Sequence, residues 1–175
     1  MFKLKDKVAV VTGGAQGIGA EYSMAMAEQG AHVVVTDVLD CSSVVDKIKE
    51  KFPGMDTLAL KVDVSEELDT KKMVEKVMGR FGRMDILVNN AGWSMQKDFF
   101  ESPVNRWDAL IDLNLKSSIY TCRVVGEVMR RNGYGKIVNI ASDAARMGSP
   151  DETVYAAAKG GIITLTKYLA ISLAP

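Results

Sequence analysis

The chain has 175 residues, enough for one domain with a sizeable core and too few to expect two. Hydrophobic residues make up 47% and charged residues 25%, the balance of an ordinary globular protein, and 22 Lys and Arg offset 22 Asp and Glu. No net field therefore draws the chain to nucleic acid or to an anionic membrane.

Cys41, Cys122 and the single histidine, His32, fit no metal-ligand spacing and argue against a histidine-based triad. Two cysteines in unlike contexts read as reduced thiols. No apolar stretch approaches the ~20 residues of a membrane span. The basic start is followed by a short apolar run that leads into glycines, with no cleavage pattern. It reads as a strand, so the cytoplasm is the expected location and no membrane partner is expected.

Short β-branched runs alternate with longer amphipathic segments, the pattern of a parallel sheet covered by helices on both faces. The first strand is Val8–Thr12, and a helix over 18–29 follows it and stops at Gly30. His32–Asp37 is the second strand. Val44, Val45, Ile48 and Phe52 then stripe a second helix that ends at Pro53-Gly54. After a strand over 57–62, the stripe Met73, Val74, Val77, Met78 and Phe81 marks a third helix, with Ser65 as its candidate cap and Gly82 closing it. The fourth strand is Ile86–Asn89. The fourth helix opens at Ser102-Pro103, an N-cap followed by proline at the first helical position, and runs to about Arg131. A fifth strand covers 136–141, and a fifth helix starts near Thr153 and is still helical at Leu173. The strand runs are apolar throughout, as expected for strands buried on both faces. The expected fold is α/β, a doubly wound parallel sheet in three αβα layers forming one domain over 1–175.

The segment Thr12-Gly13-Gly14-Ala15-Gln16-Gly17-Ile18-Gly19 leaves a strand and opens a helix. In that setting glycines let backbone N–H groups approach a pyrophosphate at the positive end of the helix. Alone, the same glycines would also serve a plain tight turn. Asp37 ends the second strand, where an acid accepts hydrogen bonds from the adenosine ribose hydroxyls and repels a 2′-phosphate. Positions 14, 16, 38 and 39 are Gly, Gln, Val and Leu, with no cation for that phosphate. NAD (NADH) is expected and NADP disfavoured, unless Asp37 is only a solvated strand-end acid.

Further motifs follow in order: Asp63-Val64 after the third strand, Asn89-Asn90-Ala91-Gly92 after the fourth, Asn114 in the fourth helix, Ser142 after the fifth strand, and Tyr155-x-x-x-Lys159. With three residues between the first two key glycines of the loop, the whole chain resembles the short-chain dehydrogenase/reductase family, a Rossmann fold. The resemblance implies cofactor contacts from Gly13, Gln16, Gly17, Ile18, Gly19 and Asp37. It further implies that Asp63 and Val64 touch the adenine and that Asn90, Ala91 and Gly92 line the cofactor cleft. Asn114, Ser142, Tyr155 and Lys159 would form the catalytic tetrad, the last two also meeting the cofactor.

That chemistry converts a secondary alcohol to a ketone, or the reverse, and leaves the protein to move the proton. A phenol gives up its proton near neutrality only if the phenolate is stabilised, and Lys159, four residues on and on the same helical face, carries the charge to do so. Ser142 would hydrogen-bond the substrate oxygen. Asn114 lies among Leu110, Ile111, Leu113 and Leu115, where a polar side chain needs a partner, and the resemblance makes it part of a proton relay from Lys159 to solvent. Singly these residues would read as a surface pair, a solvated asparagine and a turn cap.

The stretches 89–93 and 141–149, with Glu152 and 154–157, are similar to dehydrogenases of alicyclic hydroxyacyl-CoA thioesters and, more distantly, to 3-oxoacyl thioester reductases. A small-molecule alcohol or ketone, including an acyl thioester, is the expected substrate, and Arg146 is a candidate for an anionic group on it. The resemblance also implies a homodimer or homotetramer built on the fourth and fifth helices. Family members continue into a sixth strand, a substrate lid and a seventh strand, so a chain lacking these is expected. It would be either the larger part of an NAD-dependent oxidoreductase or a dinucleotide-binding or interaction fragment without turnover.

Overall fold

The computed structural model describes residues 3–148 and 150–174. Met1, Phe2, Ser149 and Pro175, which close parts of the terminal and 141–149 segments read above, lie outside the described residues. The strands are β1 (Val8–Thr12), β2 (His32–Asp37), β3 (Thr57–Lys61), β4 (Ile86–Asn89) and β5 (Lys136–Asn139). The helices are α1 (Gly17–Glu28), α2 (Ser42–Lys51), α3 (Glu67–Phe81), α4 (Trp107–Ile111), α5 (Ser117–Asn132), α6 (Ala144–Met147) and α7 (Thr153–Leu173).

The strands form one parallel sheet in the order β3-β2-β1-β4-β5. All five residues of β1 are buried, because β1 has a strand on each side and helices on each face. Its pleat divides them. Val8 and Val10 pack toward Met73 and Val77 of α3 and Val125, Val128 and Met129 of α5. Ala9 and Val11 pack toward Ala27 of α1 and Val44, Val45 and Ile48 of α2. Each large side chain so buried contributes ~1.5–3 kcal/mol of transfer free energy. The result is the three-layer Rossmann arrangement.

The expected full burial of every strand fails at the sheet edges. β5 alternates exposed and half-buried residues, with Val138 45% exposed, and β3 buries only Thr57 and Leu60. Both strands also end before the expected 62 and 141. Ser65 does not cap α3: its N–H and hydroxyl both bond Asp63 Oδ1, at 2.9 and 2.6 Å, and α3 starts at Glu67. The fourth expected helix is in four parts. A 3₁₀ turn over Val104–Arg106 precedes α4, and a π-helical turn over Asp112–Lys116 separates α4 from α5. Ser102 bonds Phe99 O and accepts from Trp107 Nε1 instead of capping this segment.

At the other end of the sheet, Asp85 ties β1 to β4. Its Oδ2 accepts the Val8 N–H at 2.8 Å and Arg83 Nε at 2.8 Å, and Oδ1 meets Arg83 Nη2 at 2.6 Å. The strand order reverses between β1 and β4, so the loops after these two strands leave in opposite directions and open a crevice at their carboxyl ends. No helix among the described residues is long and apolar enough to cross a membrane.

Candidate active site

The loop after β1 is held by a buried threonine. Thr12 Oγ1 accepts the N–H groups of Asn90 and Ala91, each at 3.1 Å, and Asn90 Nδ2 donates to Thr12 O and Gly13 O, again at 3.1 Å each. Sequence reasoning placed Asn90 on the cleft wall; the structure also makes it the clamp between the β1 and β4 loops. Thr12 opened the loop motif read from the sequence but was given no role there, although a hydroxyl ending an otherwise aliphatic strand was the available signal.

The glycines show what the loop can accept. Gly13 has φ +64°, and a Cβ on it would lie 2.8 Å from Ala91 Cα. A Cβ on Gly19 would lie 2.1 Å from Gly13 O, so only glycine lets α1 approach the loop this closely. At Gly17, φ is +54° and the Cβ position is open, at the start of a helix to which Gln16 gives no side-chain cap. An uncapped helix N-terminus facing open space behind closely packed glycines suits an anion such as a pyrophosphate.

Asp37 stands at the rim, half-buried. Its Oδ2 accepts the Ala15 N–H at 3.1 Å and its Oδ1 the Leu39 N–H at 3.0 Å. A carboxylate has about four acceptor positions, so two remain for ribose hydroxyls. Asp63 uses Oδ1 for Ser65 and keeps Oδ2.

The opposite wall is built by the π-helical turn and α7. In the π turn the Ser117 N–H donates to Asp112 O, five residues back, and the widened turn carries Asn114 inward. Asn114 is 1% exposed. Its Nδ2 donates to Trp93 O at 2.7 Å and Leu110 O at 3.0 Å, while its buried Oδ1 has no partner among the described residues. Lys159, 4% exposed, donates from Nζ to Ile140 O at 2.8 Å and stands 5.7 Å from the centre of the Tyr155 ring. Burial lowers the lysine pKa from its ordinary value. Both groups converge on Gly92, where a Cβ would lie 2.6 Å from Asn114 Oδ1 and 3.5 Å from Lys159 Nζ. Glycine keeps that space open.

One cleft of about 810 Å³ joins these walls. Of the expected site residues it gathers Gly13, Gln16, Gly17, Ile18, Asp37, Asp63, Val64, Asn90, Ala91, Gly92, Asn114, Tyr155 and Lys159. Trp93, Asp112 and Leu113, which sequence reasoning did not assign to the cofactor or tetrad, line it too. Gly19 lies behind the loop. Ser142 borders a smaller neighbouring hollow with Asp143, Arg146 and Ile163, and Ala141 lines both. Ser142 Oγ accepts the Ala144 N–H at 3.2 Å, which leaves its O–H free to donate. A separate groove of about 780 Å³ along β5 and α7 contains none of these residues.

Comparison with known proteins fits this geometry. The family model described as short chain dehydrogenase matches residues 7–175. An uncharacterized oxidoreductase from Thermotoga maritima is 40% identical over 170 residues, spanning 97% of this chain and 66% of that protein. An NAD-dependent glycerol dehydrogenase from Listeria innocua is 37% identical over 174 residues, spanning 99% of this chain and 67% of that one. Among solved structures, an NAD+-bound xylitol dehydrogenase matches with a TM-score of 0.92 at 30% identity, covering 99% of this chain and 67% of its own. The chain thus spans about two thirds of the length of these relatives.

Proposed function

The chain belongs to the short chain dehydrogenase family, and from that premise we propose that it is an NAD(H)-dependent oxidoreductase of secondary alcohols and ketones, acyl thioesters among them. The observation that carries this reading is the single cleft in which the glycine loop and Asp37 face Asn114, Tyr155 and Lys159.

Gly13 and the Gln16–Gly19 backbone would hold the pyrophosphate, Asp37 the adenosine ribose, and Asp63 with Val64 the adenine. Asn90, Ala91, Gly92, Tyr155 and Lys159 would border the nicotinamide end. When bound, the cofactor supplies hydride acceptance or donation. The chain's own residues handle the proton. Tyr155 takes it from the alcohol oxygen, or returns it to the ketone oxygen. Lys159, poised 5.7 Å from the Tyr155 ring, stabilises the phenolate when protonated. Its buried amine and the free Asn114 Oδ1 flank Gly92 and form the inner end of a path by which the proton reaches solvent. Ser142, with its hydroxyl proton uncommitted, donates to the substrate oxygen as charge develops.

Ser142 lies beside the main cleft and not within it, and this favours a second reading: a dinucleotide-binding chain without turnover. Titration with NADH and NADPH, followed by a screen of secondary alcohols with NAD at the nicotinamide absorbance band, decides among these outcomes. Tight NADH binding, weak NADPH binding and NAD reduction are expected. Binding without turnover of any alcohol would support the second reading, and failure to bind either dinucleotide would refute both.

A further inference from the structure

The segment between β4 and α4 stacks an exposed arginine, Arg106, on Trp93, a residue that lines the cleft. Trp93 lines the cleft, and its backbone carbonyl accepts from Asn114 Nδ2 at 2.7 Å, which ties the residue's main chain to the wall that bears the reacting groups. Over that indole lies Arg106, the last residue of the 3₁₀ turn, with its guanidinium carbon 5.3 Å from the ring centre. Stacking on an aromatic face holds the guanidinium plane while leaving the N–H edges outward. Among the described residues Arg106 forms no ion pair, although acids are close in sequence. Asp112 is taken by Lys116 at 3.1 Å, and Asp108 forms no ion pair. Arg146, the arginine singled out in the sequence, lines the smaller hollow together with Ser142 and Asp143.

We infer that Arg106 is a specificity-determining residue: its guanidinium, carried on Trp93, receives a carboxylate of the substrate, so hydroxy acids and oxo acids are preferred to neutral alcohols and ketones. The inference rests on the oxidoreductase reading of this cleft. One planar fork matches the two oxygens of one carboxylate, and stacking on Trp93 ties the fork to the cleft in which Tyr155 meets the alcohol oxygen.

The test is calorimetric titration of the NADH-loaded protein, in which the alcohol cannot be oxidised, with a panel of 2- and 3-hydroxy acids, each paired with its methyl ester. At least one acid is expected to bind ~10-fold or more tightly than its ester, the scale of a charge-assisted hydrogen bond. Arg106→Met should abolish that preference by weakening the acid alone, and Arg106→Lys should recover part of it. NADH affinity and thermal midpoint should stay unchanged in both variants. Wild-type protein with no preference in any pair, or a preference that survives Arg106→Met, overturns the inference. Failure of the oxidoreductase reading would show separately, as absence of NAD reduction by every member of the panel.

Discussion

Gly17 and Gly19 stand two residues apart in the same motif and answer to different constraints. Gly17 needs its positive φ and opens onto the cleft, whereas Gly19 is held by contact, its absent side chain leaving room for the Gly13 carbonyl. Gly19→Ala should therefore push α1 off the loop and weaken NADH binding by ~10-fold or more, through loss of backbone geometry that positions the pyrophosphate. Fluorescence titration of NADH against the wild type measures this, and an unchanged dissociation constant would remove Gly19 from the cofactor site. At this scale the glycines and Asp37 were legible from their places at strand ends, whereas Tyr155 and Lys159, singly a surface pair, were legible only through the resemblance that joined them to the other motifs. Less legible were groups whose role is to hold other groups. Thr12, the Asn90 amide and the Ile140 carbonyl act through partners more than fifteen residues away, and beyond the hydroxyl that ends β1 nothing local announces them.

Among the elements, the central strands β1, β2 and β4 match their expected bounds, because unbroken apolar runs between turn residues have no competing use. The helix stops were equally plain: Gly82 takes the left-handed conformation with its N–H on Met78 O. The division of the fourth helix was not readable. A π-helical turn differs from α by one backbone step, and the side-chain stripe runs through it nearly unchanged. Asn114 among leucines was its only trace. The Asp85 staple makes a prediction at this level. Burial raises the carboxyl pKa, but the Arg83 hydrogen bonds, the Val8 N–H and the charges of Arg83 and Lys7 outweigh it and leave the group below the usual carboxylate range. A group depressed in the folded state stabilises fully above its unfolded pKa of about 3.9, and that contribution is lost as pH falls through the lower folded value. Asp85→Asn should cost ~2 kcal/mol near neutrality and flatten the loss of stability below about pH 4. Urea unfolding at pH 7 and across the acid range measures both; an unaltered acid slope would show that other carboxylates govern it.

In the molecule as a whole, the cleft follows from a strand order that periodicity does not encode. Placing β1 beside β4 brings a loop at position 13 against one at position 91, and the same reversal opens the cleft that α7 closes from the other side. Resemblance to a family implied a Rossmann fold, composition and spacing supplied the parallel α/β class, and the strand order itself came only with the structure. The central claim is that this cleft holds NAD while Tyr155 moves the proton. It is tested most directly by comparing wild type and Tyr155→Phe in one assay, NAD reduction by the best secondary alcohol of the screen, with NADH affinity measured on the same samples. Loss of the phenolic hydroxyl should lower kcat by a factor of at least ~10²–10⁴ and leave the NADH dissociation constant within about twofold. Retained turnover in Tyr155→Phe, with NADH still bound, would contradict the account.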